Sequence, residues 1–315
     1  MDELTGTLVF LFLLVGIILN LLVIATVLKK KNRKVKDVLI ISLACAMISE
    51  ICFGFVWEGY GRYIDDTSLE LCKMAGFGSA FSAFVSILHL IAMALERYIS
   101  IVHPLKAYQH FENHMLAMYM VVPAWVIGLA WALFPFFGWG VYLREEVHTY
   151  RCSAIGFIKP SNSQSYSYGL LIFFFFLPSI IIIYLCVRVQ MELIKTRKNT
   201  AEKFQGATMM VADSKKCEKQ HFVLVCFIII TYFLTWTPYA LSACWYTFFD
   251  SKPDHVVSYS AIFAKSGLVT NPIIYVFFYR EFRETLITKV FKRKAPSPSN
   301  PSTSVEMKTR STTNN

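Results

Sequence analysis

The sequence predicts an all-α membrane protein built as a seven-transmembrane helix bundle. Three observations predict it. The chain of 315 residues is 55% hydrophobic, above the roughly 45–50% of soluble domains. Charged residues make up 17% and cluster between long apolar runs. Seven of those runs reach the ~20 residues that a helix needs to cross ~30 Å of hydrocarbon. Mean hydropathy is +0.48.

The runs fall at about 7–28, 37–62, 74–99, 117–139, 166–190, 220–247 and 256–278. Within a bilayer a helix satisfies its own backbone, so each run reads as a helix. The first begins near Leu8, lacks a basic flank before it and is long enough to span, so it is expected to be a helix of the bundle and not a signal peptide. The net charge of +10 does not point to nucleic acid. Its basic residues flank the spans: "KKKNRKVK" after the first, "ELIKTRKNTAEKF" between the fifth and sixth, and "REFRETLITKVFKRK" after the seventh. The positive-inside rule then puts the amino terminus outside the cell membrane and the carboxyl terminus in the cytoplasm. Residues 1–294 form the bundle with a short amphipathic helix along the lipid surface, carrying Phe282, Leu286, Ile287, Val290 and Phe291 on one face. Residues 295–315, rich in Pro, Ser, Thr and Asn, form a disordered tail.

Several residues sit where membrane physics makes them costly. Lys265 lies in "AIFAKSGLVTNPIIY"; an ammonium at a helix centre costs roughly 2.5–3.5 kcal/mol on insertion. Glu58 lies among aromatics in "CFGFVWEGYGRY" and needs an intramembrane partner for the same reason. "ERY", Glu96 to Tyr98, ends the third span, and Glu218 starts the sixth. An Arg97–Glu218 pair would tie the two helix ends as a two-state latch. Pro238 in "TWTPY" kinks the sixth helix and leaves Trp236 on its inner side, while Pro178 kinks the fifth. "NPIIY" joins a kinking Pro272 to two polar side chains, Asn271 and Tyr275. Cys45, Cys52, Cys186, Cys226 and Cys244 lie within apolar helices as small hydrophobes. Cys72 and Cys152 lie outside the spans and are disulfide candidates.

Taken together, Asn20 in "GIILNLLVI", "LACA", Cys72, "ERY", Trp125, Cys152, Pro178, "WTP" and "NPIIY" resemble the rhodopsin-like G-protein-coupled receptors, as does the 25-residue step from Cys72 to Arg97. There are two departures. Met47 stands where the family has an aspartate, which removes the usual sodium site, so no metal is expected. Cys186 replaces a tyrosine, with Tyr184 as the candidate substitute.

Within that family a lysine six residues before the Asn-Pro of "NPxxY" marks the opsins, and Lys265 stands six before Asn271. The resemblance implies retinal, 11-cis in darkness, held at Lys265 as a protonated Schiff base. An amine in a dry pocket loses its proton more readily than one in water, which suits attack on an aldehyde. A microbial-type pump would need paired carboxylates on the third span, and none precedes Glu96. The iminium needs a counterion. The vertebrate position is occupied by Ala75, which leaves Glu58 and Glu146. Glu58 is preferred, because Glu146 can remain in water. By family position Trp236, Tyr239, Phe174 and Phe175 line the chromophore, over a small-residue floor of Ser79, Ala80 and Ala83.

The resemblance implies a receptor and not an enzyme, with no catalytic residues. Light would shift Trp236, weaken Arg97–Glu218 and open a cleft for a heterotrimeric G protein. A receptor kinase would phosphorylate the tail from Ser297 to Thr313, and arrestin would bind it. The absence of an acid at Ala75, the acid at Glu58 and the short amino terminus resemble cnidarian opsins, particularly those of box jellyfish, which implies the stimulatory G protein and cyclic AMP. Alternatives are coupling to the phospholipase-linked G protein, or a retinal photoisomerase.

Overall fold

The computed structural model describes residues 3–64, 68–110, 114–144, 152–153, 161–203, 209–248 and 254–292. Among the described residues seven helices are long and apolar enough to cross a membrane: Phe10–Leu28, Val35–Gly61, Leu69–Val102, Met115–Phe137, Ser163–Thr196, Lys219–Ser242 and Tyr259–Phe278. The third and fifth run further than their apolar stretches, because a helix that satisfies its own backbone can continue past the hydrocarbon edge. Two-thirds of the second and third spans is buried (67% each), against 22–33% of the other five. Those two therefore form the centre, and the rest surround them with lipid-compatible outer faces.

Polar side chains join the spans where no hydrophobic force can distinguish helix from lipid. Trp125 of the fourth span donates its indole N–H to Ser42 Oγ of the second at 2.8 Å. His89 of the third meets the same hydroxyl at 2.7 Å. The Ser49 and Ser82 hydroxyls, from the second and third, lie 2.9 Å apart.

The second span is not one regular helix. An α-helical part, Val35–Glu50, passes through a π-helical turn, Ile51–Phe55, into a second α-helical part, Val56–Tyr63. The wide turn rotates the following residues relative to those before it, and such bulges recur at functional sites. Its backbone presses against the third span. A Cβ on Gly78 would collide with the Phe53 carbonyl, and one on Gly54 would come within 2.6 Å of Ser79 Oγ.

The seventh span breaks at its lysine. A helix, Asp254–Ala264, stops, Lys265 and Ser266 form a turn, and a second helix, Gly267–Phe278, begins. Five residues after Gly267 comes a further consequence of sequence: Pro272 has no N–H, so the Leu268 carbonyl loses its helical donor. Asn20 of the first span fills the gap, donating Nδ2–H to the Leu268 carbonyl and to the Gly16 carbonyl, each at 2.8 Å.

After the seventh span a short helix, Arg280–Thr285, runs into a π-helical turn, Leu286–Val290. Phe282 and Leu286 are buried and Arg283 is exposed, as an amphipathic surface helix requires. Phe291, expected on the apolar face, is 55% exposed. The helix has ended by then, so the periodicity that would place it inward no longer applies. The tail at 295–315 lies outside the described residues.

Gly78→Ala should force apart the backbones of the second and third spans. Overpacking of this kind costs about 1–3 kcal/mol or more, so a thermal unfolding assay should show a clear loss. Gly59→Ala, with open space at its Cα, should unfold like the wild type.

Candidate ligand-binding site around Lys265

Between the third, fifth, sixth and seventh spans lies a cavity of about 140 Å³. All seven side chains expected to line the chromophore reach it: Ser79, Ala80, Ala83, Phe174, Phe175, Trp236 and Tyr239, together with Lys265. The aromatic wall is continuous. The Phe84 and Phe174 ring centroids are 4.3 Å apart, and Trp236 stacks on Tyr232 at 5.6 Å while meeting Tyr239 edge-on at 6.1 Å. A π-helical turn, Ile172–Phe176, ends two residues before Pro178 and turns Phe174 and Phe175 inward from the fifth span.

The roof comes from the loop after the fourth span. Strand β1, Leu143–Arg144, pairs antiparallel with strand β2, Cys152–Ser153, in the register Leu143↔Ser153 and Arg144↔Cys152. A disulfide links Cys152 to Cys72 at the start of the third span. Gly76 allows this contact: a Cβ there would lie 3.1 Å from the Cys152 carbonyl and 2.8 Å from the Tyr142 ring. Tyr142 anchors the same loop by donating its hydroxyl to the Ala132 carbonyl at 2.7 Å. Burial pushes its phenol well above the ordinary value, so it remains a donor at any working pH.

Lys265 projects from the broken turn of the seventh span. Its Nζ lies 3.6 Å from Glu58 Oε2, and the two side chains are 12% and 16% exposed. The same ammonium stands 3.8 Å from the centroid of the Phe55 ring, within cation–π range. Both Phe55 and Glu58 owe their direction to the π-helical turn. Glu146 lies outside the described residues.

A smaller cavity of about 20 Å³ lies beneath, on the side towards Asn271. Met47, Ser86, Trp236, Lys265 and Asn271 line it. So does Glu50, which is 4% exposed and lines the larger cavity as well. Glu50 was missed by the sequence reading. The signal was present, since a carboxylate three residues after Met47 in an apolar span carries the same cost that singled out Glu58.

At the far end of the third span, Glu96 and Arg97 pair with each other, both nearly fully buried, and Ser100 bridges them. The side chain of Glu218, the expected partner of Arg97, lies outside the described residues. Asn271, Pro272 and Tyr275 are buried. The Tyr275 hydroxyl has no hydrogen-bond partner among the described residues. Tyr184 does not replace the tyrosine lost at Cys186. It is 54% exposed and accepts from Arg188 at 3.0 Å on the outer surface, because two residues turn a helix by about 200°. Cys186 itself is partly buried against the bundle core.

A sequence profile described as "7 transmembrane receptor (rhodopsin family)" matches residues 19–275. The chain belongs to that family. Over 296 residues it is 29% identical to green-sensitive opsin-1 of Carassius auratus, covering 91% of this chain and 81% of the relative. It is also 29% identical to the rhodopsin of Lethenteron camtschaticum, over 91% of this chain and 80% of that one. The crystal structure of squid rhodopsin superposes with a TM-score of 0.81 at 24% identity, covering 93% of this chain and 87% of its own, which establishes the common fold. As members of a G-protein-coupled receptor family these relatives are receptors and not enzymes, and the rhodopsin-family chain described here is a multi-pass membrane receptor of the same opsin-like kind.

Cys152→Ser should release the roof and lower stability by about 2–4 kcal/mol. The check is a thermal unfolding comparison with and without reductant, in which reductant should destabilise the wild type and leave the variant unchanged.

Proposed function

We propose that this rhodopsin-family receptor senses light through retinal attached to Lys265, with Glu58 as the counterion. The observation that carries the reading is the Lys265–Glu58 pair at the edge of an aromatic cavity. The lining fits the group. It offers one lysine amine, aromatic walls and a floor of small side chains, which suits a hydrophobic aldehyde. When bound, retinal would supply that aldehyde for condensation with the amine, giving a cation that absorbs visible light and changes shape on illumination.

The protein's own residues do the rest. Glu58 holds the positive charge of the nitrogen. A contact pair about 4 Å apart at an effective dielectric near 20 gains roughly 4 kcal/mol, equivalent to about 3 pK units. Phe55 screens the nitrogen from water. Trp236 lines both cavities two residues before Pro238, so a displaced ring alters the space beside Asn271 and loads the proline kink of the sixth helix. Rotation of that helix would open the Arg97 end of the bundle by parting Arg97 from Glu218. With the amino terminus outside, that end faces the cytoplasm and a heterotrimeric G protein.

For the partner we favour the stimulatory class, with cyclic AMP as the product of signalling. The support is Glu58 in place of an acid at Ala75, the arrangement that resembles cnidarian opsins. The chromophore is 11-cis in darkness, and the Ser- and Thr-rich tail is a substrate for a receptor kinase and then a site for arrestin.

Protein reconstituted with 11-cis retinal should show a visible band in darkness. Lys265→Ala should show none, and a normal band in that variant would remove the covalent claim. Glu58→Gln should move the band into the ultraviolet at neutral pH, with the titration midpoint lower by about 3 units. Transfected cells should raise cyclic AMP on illumination; a calcium rise without cyclic AMP would transfer the coupling to the phospholipase-linked class.

A further inference from the structure

Glu58 is not the only acid within the bundle beside Lys265. Glu50 ends the first helical part of the second span, immediately before the π-helical turn, and is 4% exposed. Five residues line both cavities: Glu50, Tyr232, Trp236, Ala264 and Lys265. They form the wall between the two spaces, and Lys265 is the cation among them.

The two acids take different stations. They are eight residues apart on one span, about 12 Å along a helix axis. The amine touches Glu58 at 3.6 Å. Glu50 lines the same two cavities as the amine, from the first helical part of the second span. Tyr232, stacked on Trp236, lines the same wall. The ionisable residues lining the two cavities are Glu50, Tyr232, Tyr239 and Lys265; Glu58 joins them at the outer edge. A carboxyl group buried in a span without a cation is expensive, and Lys265 is the cation these cavities provide.

We propose that Glu50 is a second acid of the lysine site, coupled to the Lys265 amine from the inner cavity as Glu58 is from the outer edge. Glu58 binds the charge by contact. Glu50 sets the field on the opposite side, so the nitrogen sits between two carboxyl groups and its protonation depends on both. The functional weight of this inference rests on Lys265 being the retinal-bearing residue, but the coupling itself does not.

The test therefore starts without retinal. Retinal-free protein is labelled with an amine-selective reagent across a pH series, and the Lys265 peptide is quantified by mass spectrometry in the wild type, Glu50→Gln, Glu58→Gln and the double variant. Removing a negative neighbour favours the free amine. The double variant should label Lys265 about tenfold faster at neutral pH than Glu58→Gln, the change that one pK unit produces. Superposition of the double variant on Glu58→Gln, and of Glu50→Gln on the wild type, would overturn the proposal. If Glu50→Gln does not fold, Glu50→Asp withdraws the carboxyl group by one methylene and should shift labelling in the same direction by less; an unchanged profile there overturns it equally. The second readout is the pigment, whose visible band in the double variant should titrate at lower pH than in Glu58→Gln. A wild type that forms no pigment while the labelling shift persists defeats the retinal reading and leaves the Glu50 coupling standing.

Discussion

A positive charge held away from water organises this protein. The Lys265 ammonium is almost enclosed, and an isolated buried ion costs far more than a marginally stable fold can spare. It is tolerated because Glu58 stands 3.6 Å away and the Phe55 ring faces it. Both neighbours depend on the π-helical turn at Ile51–Phe55, which in turn needs Gly54 and Gly78 so that two backbones can approach. A structural irregularity in one span thus follows from an electrostatic requirement in another.

The breaks in the helices follow a related logic. A proline frees a carbonyl inside the bilayer, where no solvent can satisfy it. At Pro272 the freed Leu268 carbonyl is taken up by Asn20, which ties the first span to the seventh immediately below the lysine turn. The irregular backbone around Lys265 is therefore braced from one side by Asn20 and bounded on the other by two cavities. The seventh span is tied to the first at Leu268 and broken where the amine projects.

The two ends of the bundle differ in their chemistry. At the disulfide end a covalent link and the β1–β2 pair close a roof over the larger cavity. At the other end, contacts are polar and reversible: Glu96 with Arg97, Lys30 with Asp37 at 2.7 Å, and Lys30 with the Tyr279 hydroxyl at 3.2 Å. A fixed end and a reversible end, joined by proline-kinked spans, are what a membrane-crossing switch requires.

By itself the sequence determined seven spans, because apolar runs of bilayer length admit one backbone solution. Through the family resemblance it also pointed to wall residues such as Phe174, Trp236 and Ala83, which the structure gathers around one cavity. Tertiary structure decided what periodicity cannot reach. The π-helical turns break the regular rotation, so the facing of Glu58 towards Lys265 could be argued from cost but not located. Tyr184 lies near enough in sequence to substitute for a lost tyrosine, yet helical rotation puts it on the outer surface. Glu50 is marked in the sequence only as a costly carboxylate in an apolar run, and packing places it on the wall between two cavities. Burial beside a particular cation is a property of the assembled bundle, because it depends on spans more than 200 residues apart in the chain.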